Sequence, residues 1–196
     1  GWNQEWRKPL RHSLDWLREE LTKTFEKELK RFHSDPWFLR NRYIEVLFKR
    51  SPEQINLFIE KYIDPEFTED QKIQVVRLLE MQRQALYMYT SCGWFFDEIS
   101  GIETTQILQY ANRAMQLNYD VSGKSLDEKF MEMLKDIPTN IVELVNGKVI
   151  YEEYVKPKRL SLTVVGMHYA VSSLFREESK QLTVLNYDSN SEEYYR

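Results

Sequence analysis

A single cysteine, Cys92, occurs in the 196 residues, so no disulfide can form within the chain, and that count suits a reducing, cytoplasmic setting. No apolar run approaches the length that spans a bilayer. The three histidines, His12, His33 and His168, lie far apart without metal-ligand spacing, which argues against a zinc site. A glycine-rich phosphate loop, HExxH and GxSxG are all missing. So is any basic excess. With 27 Lys and Arg against 31 Asp and Glu, the formal charge is -4 and the pI near 5.6, which argues against a nucleic-acid or anionic-membrane partner. The polar opening, "GWNQEWRKPLRHSLDW", does not read as a signal peptide. One further absence is local: between Arg83 and Arg113 there is no Lys or Arg at all.

What is present reads as helix for most of the chain. Leu10, Leu14, Leu17, Leu21, Phe25, Leu29 and Phe32 recur at spacings of three and four, the stripe of a long amphipathic helix that Pro9 opens. Asp35 with Pro36 predicts a second helix to about Lys49, and Ser51 to Gln54 and Thr68 to Gln71 read as capping boxes for two more. The later of these carries Ile73, Val76, Leu79, Met81, Leu86 and Tyr87 as its apolar set. A helix over 102–117 and a short one capped by Ser125 complete the series. After Pro138 the period changes. "IVELVNGKVIYEEYV" centres two β-prone runs on Asn146-Gly147, a hairpin signal. "RLSLTVVGMHYAVSSLF" fits a strand or a helix, and the reading adopted is a bent strand returning through "REESK" to "QLTVLNY". The expected class is therefore mainly α, with five or six bundled helices over 1–137 and a β-rich segment over 138–196, α+β overall. The polar end, "LNYDSNSEEYYR", suggests a piece of a longer polypeptide.

The cation-free stretch holds the chemistry. "SCGWFFDEIS" joins Trp94, Phe95 and Phe96 to Asp97 and Glu98 at a helix-breaking turn. Aromatic faces stack on the apolar side of a sugar ring while carboxylates accept bonds from its hydroxyls, so the five residues are candidate substrate ligands. The bland alternative makes the aromatics core, and the acids partners of the next helix's dipole, a role that suits Glu103. Asp97 and Glu98 are not a glycosidase pair, because adjacent side chains diverge whereas the catalytic carboxyls must flank one bond. Cys92 has no histidine near it in sequence, so a packed thiol is expected rather than a nucleophile. Trp2, Trp6, Trp16 and Trp37 read as core or helix-packing residues, and His168 as a hydrogen-bonded structural histidine.

The run "QRQALYMYTSCGWFFDEISGIETTQILQYANRAMQL" (82–117), with "WRKPLRHSLDWLREEL", "DPWFLRNRYIEVLFKRS" and "HYAVSSLF", resembles an uncharacterised bacterial domain. That domain lies C-terminal to the catalytic barrel in one branch of the family 57 glycoside hydrolases, the α-amylase and branching-enzyme relatives. The resemblance implies a retaining enzyme whose Glu nucleophile and Asp acid/base sit on the barrel, with no counterpart in this chain. It implies that Ser91–Phe96 is the family's last motif and that Trp94 is the Trp lining the substrate cleft. Gly93 stands where relatives often carry Asp or Asn. The expected function is thus an accessory domain, not catalytic alone and without a cofactor. Its partners would be the barrel of the same polypeptide and an α-glucan or related oligosaccharide. The rival is a scaffolding module with 91–98 buried at a domain interface.

Overall fold

The computed structural model describes residues 2–49, 51–159, 161–173, 181–184 and 187–190, in two compact units, Gly1–Lys158 and Arg159–Arg196. The first unit is organised around α1 (Arg7–Leu29). Leu10, Leu14, Leu17, Leu21, Phe25 and Leu29 are wholly buried, as their spacing requires, and Phe32 packs beside them partly buried. Their stripe lies against α5 (Glu69–Tyr87), α6 (Ile102–Ser122) and α7 (Asp127–Leu134). Burying each such side chain contributes about 1.5–3 kcal/mol, so this stripe is the main cohesive element.

Caps place most of the other ends. The Asp35 carboxylate accepts the Phe38 N–H at 2.9 Å and starts α2 (Pro36–Arg42). That helix stops short of Lys49: Tyr43 separates it from a single turn, α3 (Ile44–Leu47). Ser51 caps α4 (Pro52–Tyr62), and Thr68 and Gln71 exchange both bonds of a capping box at the head of α5. The buried face of α5 is Val75, Leu78, Leu79, Met81 and Ala85, whereas Ile73, Leu86 and Tyr87 are exposed. Polar residues on the inward face disguised its phase. Glu80 is buried there, accepting the Tyr43 hydroxyl at 2.6 Å and the Arg83 guanidinium at 2.8 Å.

The β-rich region expected after Pro138 is overturned. Asn146 is a helix cap rather than a hairpin corner: its Oδ1 accepts the N–H groups of Lys148 and Val149 at the head of α8 (Gly147–Ile150). The chain runs on through a π-helical turn, Tyr151–Val155, and a 3-10 turn, Lys156–Lys158. Ile150, Tyr151 and Val155 are buried in the helical core, a helical spacing that the β-prone composition concealed. Gly147 serves close approach. A Cβ there would lie 2.9 Å from the Leu134 carbonyl oxygen and from the Ile137 Cβ, and the Gly147 N–H donates to the Ile137 carbonyl. The positive φ of this region falls on Val145 instead, at φ 57° and ψ -61°, in a γ-turn closed by Asn146 N–H to Leu144 C=O at 2.6 Å.

In the second unit, α9 (Leu162–Ser173) replaces the bent strand expected over 160–175. Ser161 opens it, its hydroxyl accepting the Val164 N–H at 3.3 Å and its carbonyl the Val165 N–H at 3.0 Å. No apolar stripe of α9 accounts for the helix, since Met167 and Val171 are exposed and Val165 is buried. Two four-residue strands follow, β1 (Gln181–Val184) and β2 (Tyr187–Asn190), paired antiparallel with each other and, among the described residues, not with 161–173. The "REESK" turn lies outside the described residues. The α+β class is therefore corrected: from Arg7 to Ser173 the described residues are helices and connecting turns, and 138–158 belong to the helical unit. Among the described residues no helix is long and apolar enough to cross a membrane.

Candidate functional site

α5 ends at Tyr87, and the chain turns through a 3-10 helix, Ser91–Trp94, before α6 begins at Ile102. Gly93 permits the turn to press on α6. A Cβ at 93 would meet Ile107 Cγ2 at 2.5 Å and the Glu103 carbonyl oxygen at 3.2 Å, and the buried Thr104 hydroxyl donates to the Gly93 carbonyl at 2.8 Å. The Asp or Asn implied by the resemblance has no room at this position. Glu103 occupies the first turn of α6, the dipole position expected for it.

The missing cations arrive from α1. Arg7 Nη2 donates to the carbonyls of Phe95 and Phe96 at 2.9 and 3.2 Å, and its Nη1 to Gln4. Arg11 and Arg18 lie over the ring of Tyr89, whose hydroxyl donates to Asp15 at 2.8 Å. Burial pushes the Tyr89 hydroxyl pKa well above its ordinary value, and the bond to Asp15 adds to that. Trp6 is buried and stacks on Trp94, with ring centroids 6.1 Å apart and planes at 17°, while its Nε1 donates to the Asp97 carbonyl at 2.9 Å.

The five candidate ligands fare differently. Trp94 is half-buried. Phe95 and Phe96 pack edge to face at 5.2 Å and are 75% and 49% exposed. Asp97 is exposed and its Oδ1 accepts the Gln4 amide. Glu98 is 5% exposed, so the adjacent acids point apart as expected. Its Oε1 accepts the Thr139 hydroxyl at 2.7 Å and the Ser100 N–H at 3.2 Å, and its Oε2 the Asn140 N–H at 2.7 Å. Burial works to raise the Glu98 pKa, but these bonds outweigh it and hold the carboxyl below the ordinary glutamate value. Glu98 is thus a tether to 139–140, Phe95, Phe96 and Asp97 form the outward set, and Trp94 is half-buried against Trp6.

Several participants carried no local sequence signal. Asn140 has none, yet it bonds Asn3, Asp97 and Glu98. The cation-free stretch itself could have directed attention to Arg7. Cys92, expected to be packed, is exposed. Trp2, expected to pack, is 60% exposed, whereas Trp37 packs on Phe25 of α1 with ring centroids 5.3 Å apart, Trp6 is core and Trp16 is half-buried against the core. His168 is exposed on α9, with Nδ1 3.1 Å from the Ser172 hydroxyl. A separate cavity of about 220 Å3, lined in part by Ile55, Ile59, Ile73 and Val76, includes none of the candidate residues.

These features define a helical domain with a rigidly backed aromatic and carboxylate surface at the start of α1. Over residues 2–196 the sequence matches the family described as Domain of unknown function (DUF3536), and the chain belongs to that family. Comparison with curated proteins and with solved structures gives no match.

Proposed function

We propose that this chain is the helical accessory domain of a family 57-like retaining glycoside hydrolase, a cytoplasmic bacterial enzyme of carbohydrate metabolism. The reacting carboxylates belong to a catalytic barrel outside the 196 residues. The domain lines that barrel's cleft and offers Trp94, Phe95, Phe96 and Asp97 to an α-glucan or related oligosaccharide. Glu98 positions them from behind. The resemblance of residues 82–117 supplies the class, and one observation carries the site: two phenylalanines lie exposed beside an exposed carboxylate, on a base fixed by Arg7 and Glu98. Aromatic rings held open to solvent beside hydroxyl acceptors suit a pyranose ring, whose C–H face stacks and whose hydroxyls donate.

A scaffolding role is the second reading. Ile102 and Val142, 79% and 85% exposed, follow Gly101 and Asn140 closely in sequence and would suit a protein partner. Phe96→Ala, made in the polypeptide that carries both barrel and domain, separates the two. The sugar reading expects turnover or oligosaccharide affinity to fall about tenfold with the melting temperature unchanged, the size of a lost aromatic contact. Wild-type kinetics in a stably folded Phe96→Ala protein would refute it.

A further inference from the structure

The cavity between α4 and α5 has no part in any role assigned above. Ile55 and Ile59 wall it from α4, and Ile73 and Val76 from α5. Both helices are anchored on their other faces, α4 by buried Phe58 and α5 by buried Val75, Leu78 and Leu79, so the space between them is held open by the core. It reaches solvent, since Ile73 is 46% exposed. At about 220 Å3 it exceeds the roughly 150 Å3 that admits benzene to an apolar cavity and falls short of the roughly 300–1,000 Å3 of sites for drug-sized ligands. Size therefore selects one short chain or one ring. The four walls are aliphatic, so the part of the ligand that enters is hydrocarbon.

The rim sets the charge. Glu69 and Lys72 line it and neutralise each other, with Nζ 2.7 Å from Oε1. The Asn56 amide lines it without charge. Arg77 also lines it, exposed, and makes no ion pair or hydrogen bond with the described residues. One positive charge is thus left unbalanced beside an aliphatic recess, and a guanidinium fork matches a carboxylate with two parallel bonds. We propose that this recess is a binding site for a short-chain aliphatic carboxylate. The hydrocarbon covers Ile55, Ile59, Ile73 and Val76, removing from water apolar surface that the fold leaves there, and the carboxylate pairs with Arg77. The site shares no residue with the turn between α5 and α6 and is independent of the sugar reading.

The probe is sodium octanoate, titrated into the 196-residue chain and followed by NMR of the isoleucine methyl signals, with 1-octanol as the uncharged chain of equal length. The expected result is a saturable shift of the Ile55, Ile59 and Ile73 methyls with one dissociation constant, while Ile102, exposed but outside the recess, stays fixed. Octanol should bind about fivefold more weakly than octanoate. Arg77→Gln should weaken octanoate about fivefold, the upper end for an exposed ion pair, and leave octanol unchanged. Ile73→Ser should weaken both ligands about threefold through lost apolar cover. Arg77 and Ile73 are exposed, and melting temperatures report folding of both variants directly. Octanol binding as tightly as octanoate, or an Arg77→Gln protein that binds octanoate as wild type does, overturns the carboxylate assignment. Shifts that do not saturate, or that move Ile102 as much as Ile73, overturn the site itself and leave the recess to an apolar side chain of a protein partner.

Discussion

Glu98→Gln replaces one carboxylate oxygen with a donor at a position where every neighbour already donates. The wild-type oxygens accept from Thr139, Ser100 and Asn140 with the group 5% exposed. If the new amide oxygen keeps the Oε1 place, the NH2 confronts the Asn140 N–H, whose bond was 2.7 Å long. In the opposite flip it confronts the Ser100 N–H, and the Thr139 hydroxyl must reverse while still accepting the Ile141 N–H at 3.0 Å. Either way one buried N–H loses its acceptor, costing about 1–3 kcal/mol, and the surviving bonds lose their charge assistance, about 1 kcal/mol more. Easier desolvation of the neutral amide offsets part of this, leaving a destabilisation of about 2–3 kcal/mol at neutral pH.

The pH dependence fixes the sign independently. A carboxyl whose folded pKa lies below its unfolded value contributes stability that is present above the unfolded pKa and lost as pH falls through the folded one. Wild-type Glu98 is in that class, so the gap between wild type and Glu98→Gln should shrink on acidification below about pH 4.5. Glu20, Glu45 and Glu132 are also held low by their partners, but they are common to both proteins and cancel in the difference. Urea unfolding followed by tryptophan fluorescence, at neutral pH and again under acid conditions, supplies the measurement. A Glu98→Gln protein as stable as wild type at neutral pH, or a gap that widens in acid, would refute the tether.

Gly93→Ala should lower stability by about 1–3 kcal/mol, since its methyl group meets Ile107 Cγ2 at 2.5 Å; in an Ile107→Ala background, which lacks that atom, thermal melts should show a smaller loss on adding Gly93→Ala. Asn146→Ala should cost about 1 kcal/mol of unfolding free energy through the two N–H groups it leaves uncapped, with helical circular dichroism otherwise retained; a neutral result would contradict the cap.

How legible the fold was depended on whether a pattern and its context agreed. α1 was readable because apolar spacing, Pro9 and the bundle core all favour one face. Asp35 and Thr68 act as caps through bonds to residues three positions away, which a sequence displays directly. Asn146-Gly147 misled because the pair serves two unrelated geometries. Asparagine caps helices as readily as it turns hairpins, and the glycine answers to Leu134 and Ile137, residues that no local pattern connects to it. At the candidate site, exposure of Phe95 and Phe96 could not be inferred from a run that reads equally as core. The partners that set the surface, Arg7, Thr139 and Asn140, come from about 90 positions before and about 40 after it in the chain.

The turn between α5 and α6 inverts the usual arrangement of a connecting loop. Loops ordinarily bury their few apolar side chains and leave carboxylates to water. Here a glutamate goes inward, where three donors satisfy it, and two carbonyls are capped by an arginine from another helix, while the phenylalanines between them stay outside. A loop selected only to join two helices would lower its free energy by exchanging these positions, since full burial of a phenylalanine contributes about 1.5–3 kcal/mol and Phe95 and Phe96 forgo part of it. Asn140 sharpens the point, because one side chain holds both the turn and the N-terminal arm that carries exposed Trp2. Stabilisation is spent on holding apolar rings in water, a disposition that gains free energy only when something else covers them. That asymmetry between a satisfied polar interior and an unsatisfied aromatic exterior is the physical basis of the proposal that this end of the bundle, rather than the acids alone, meets a ligand.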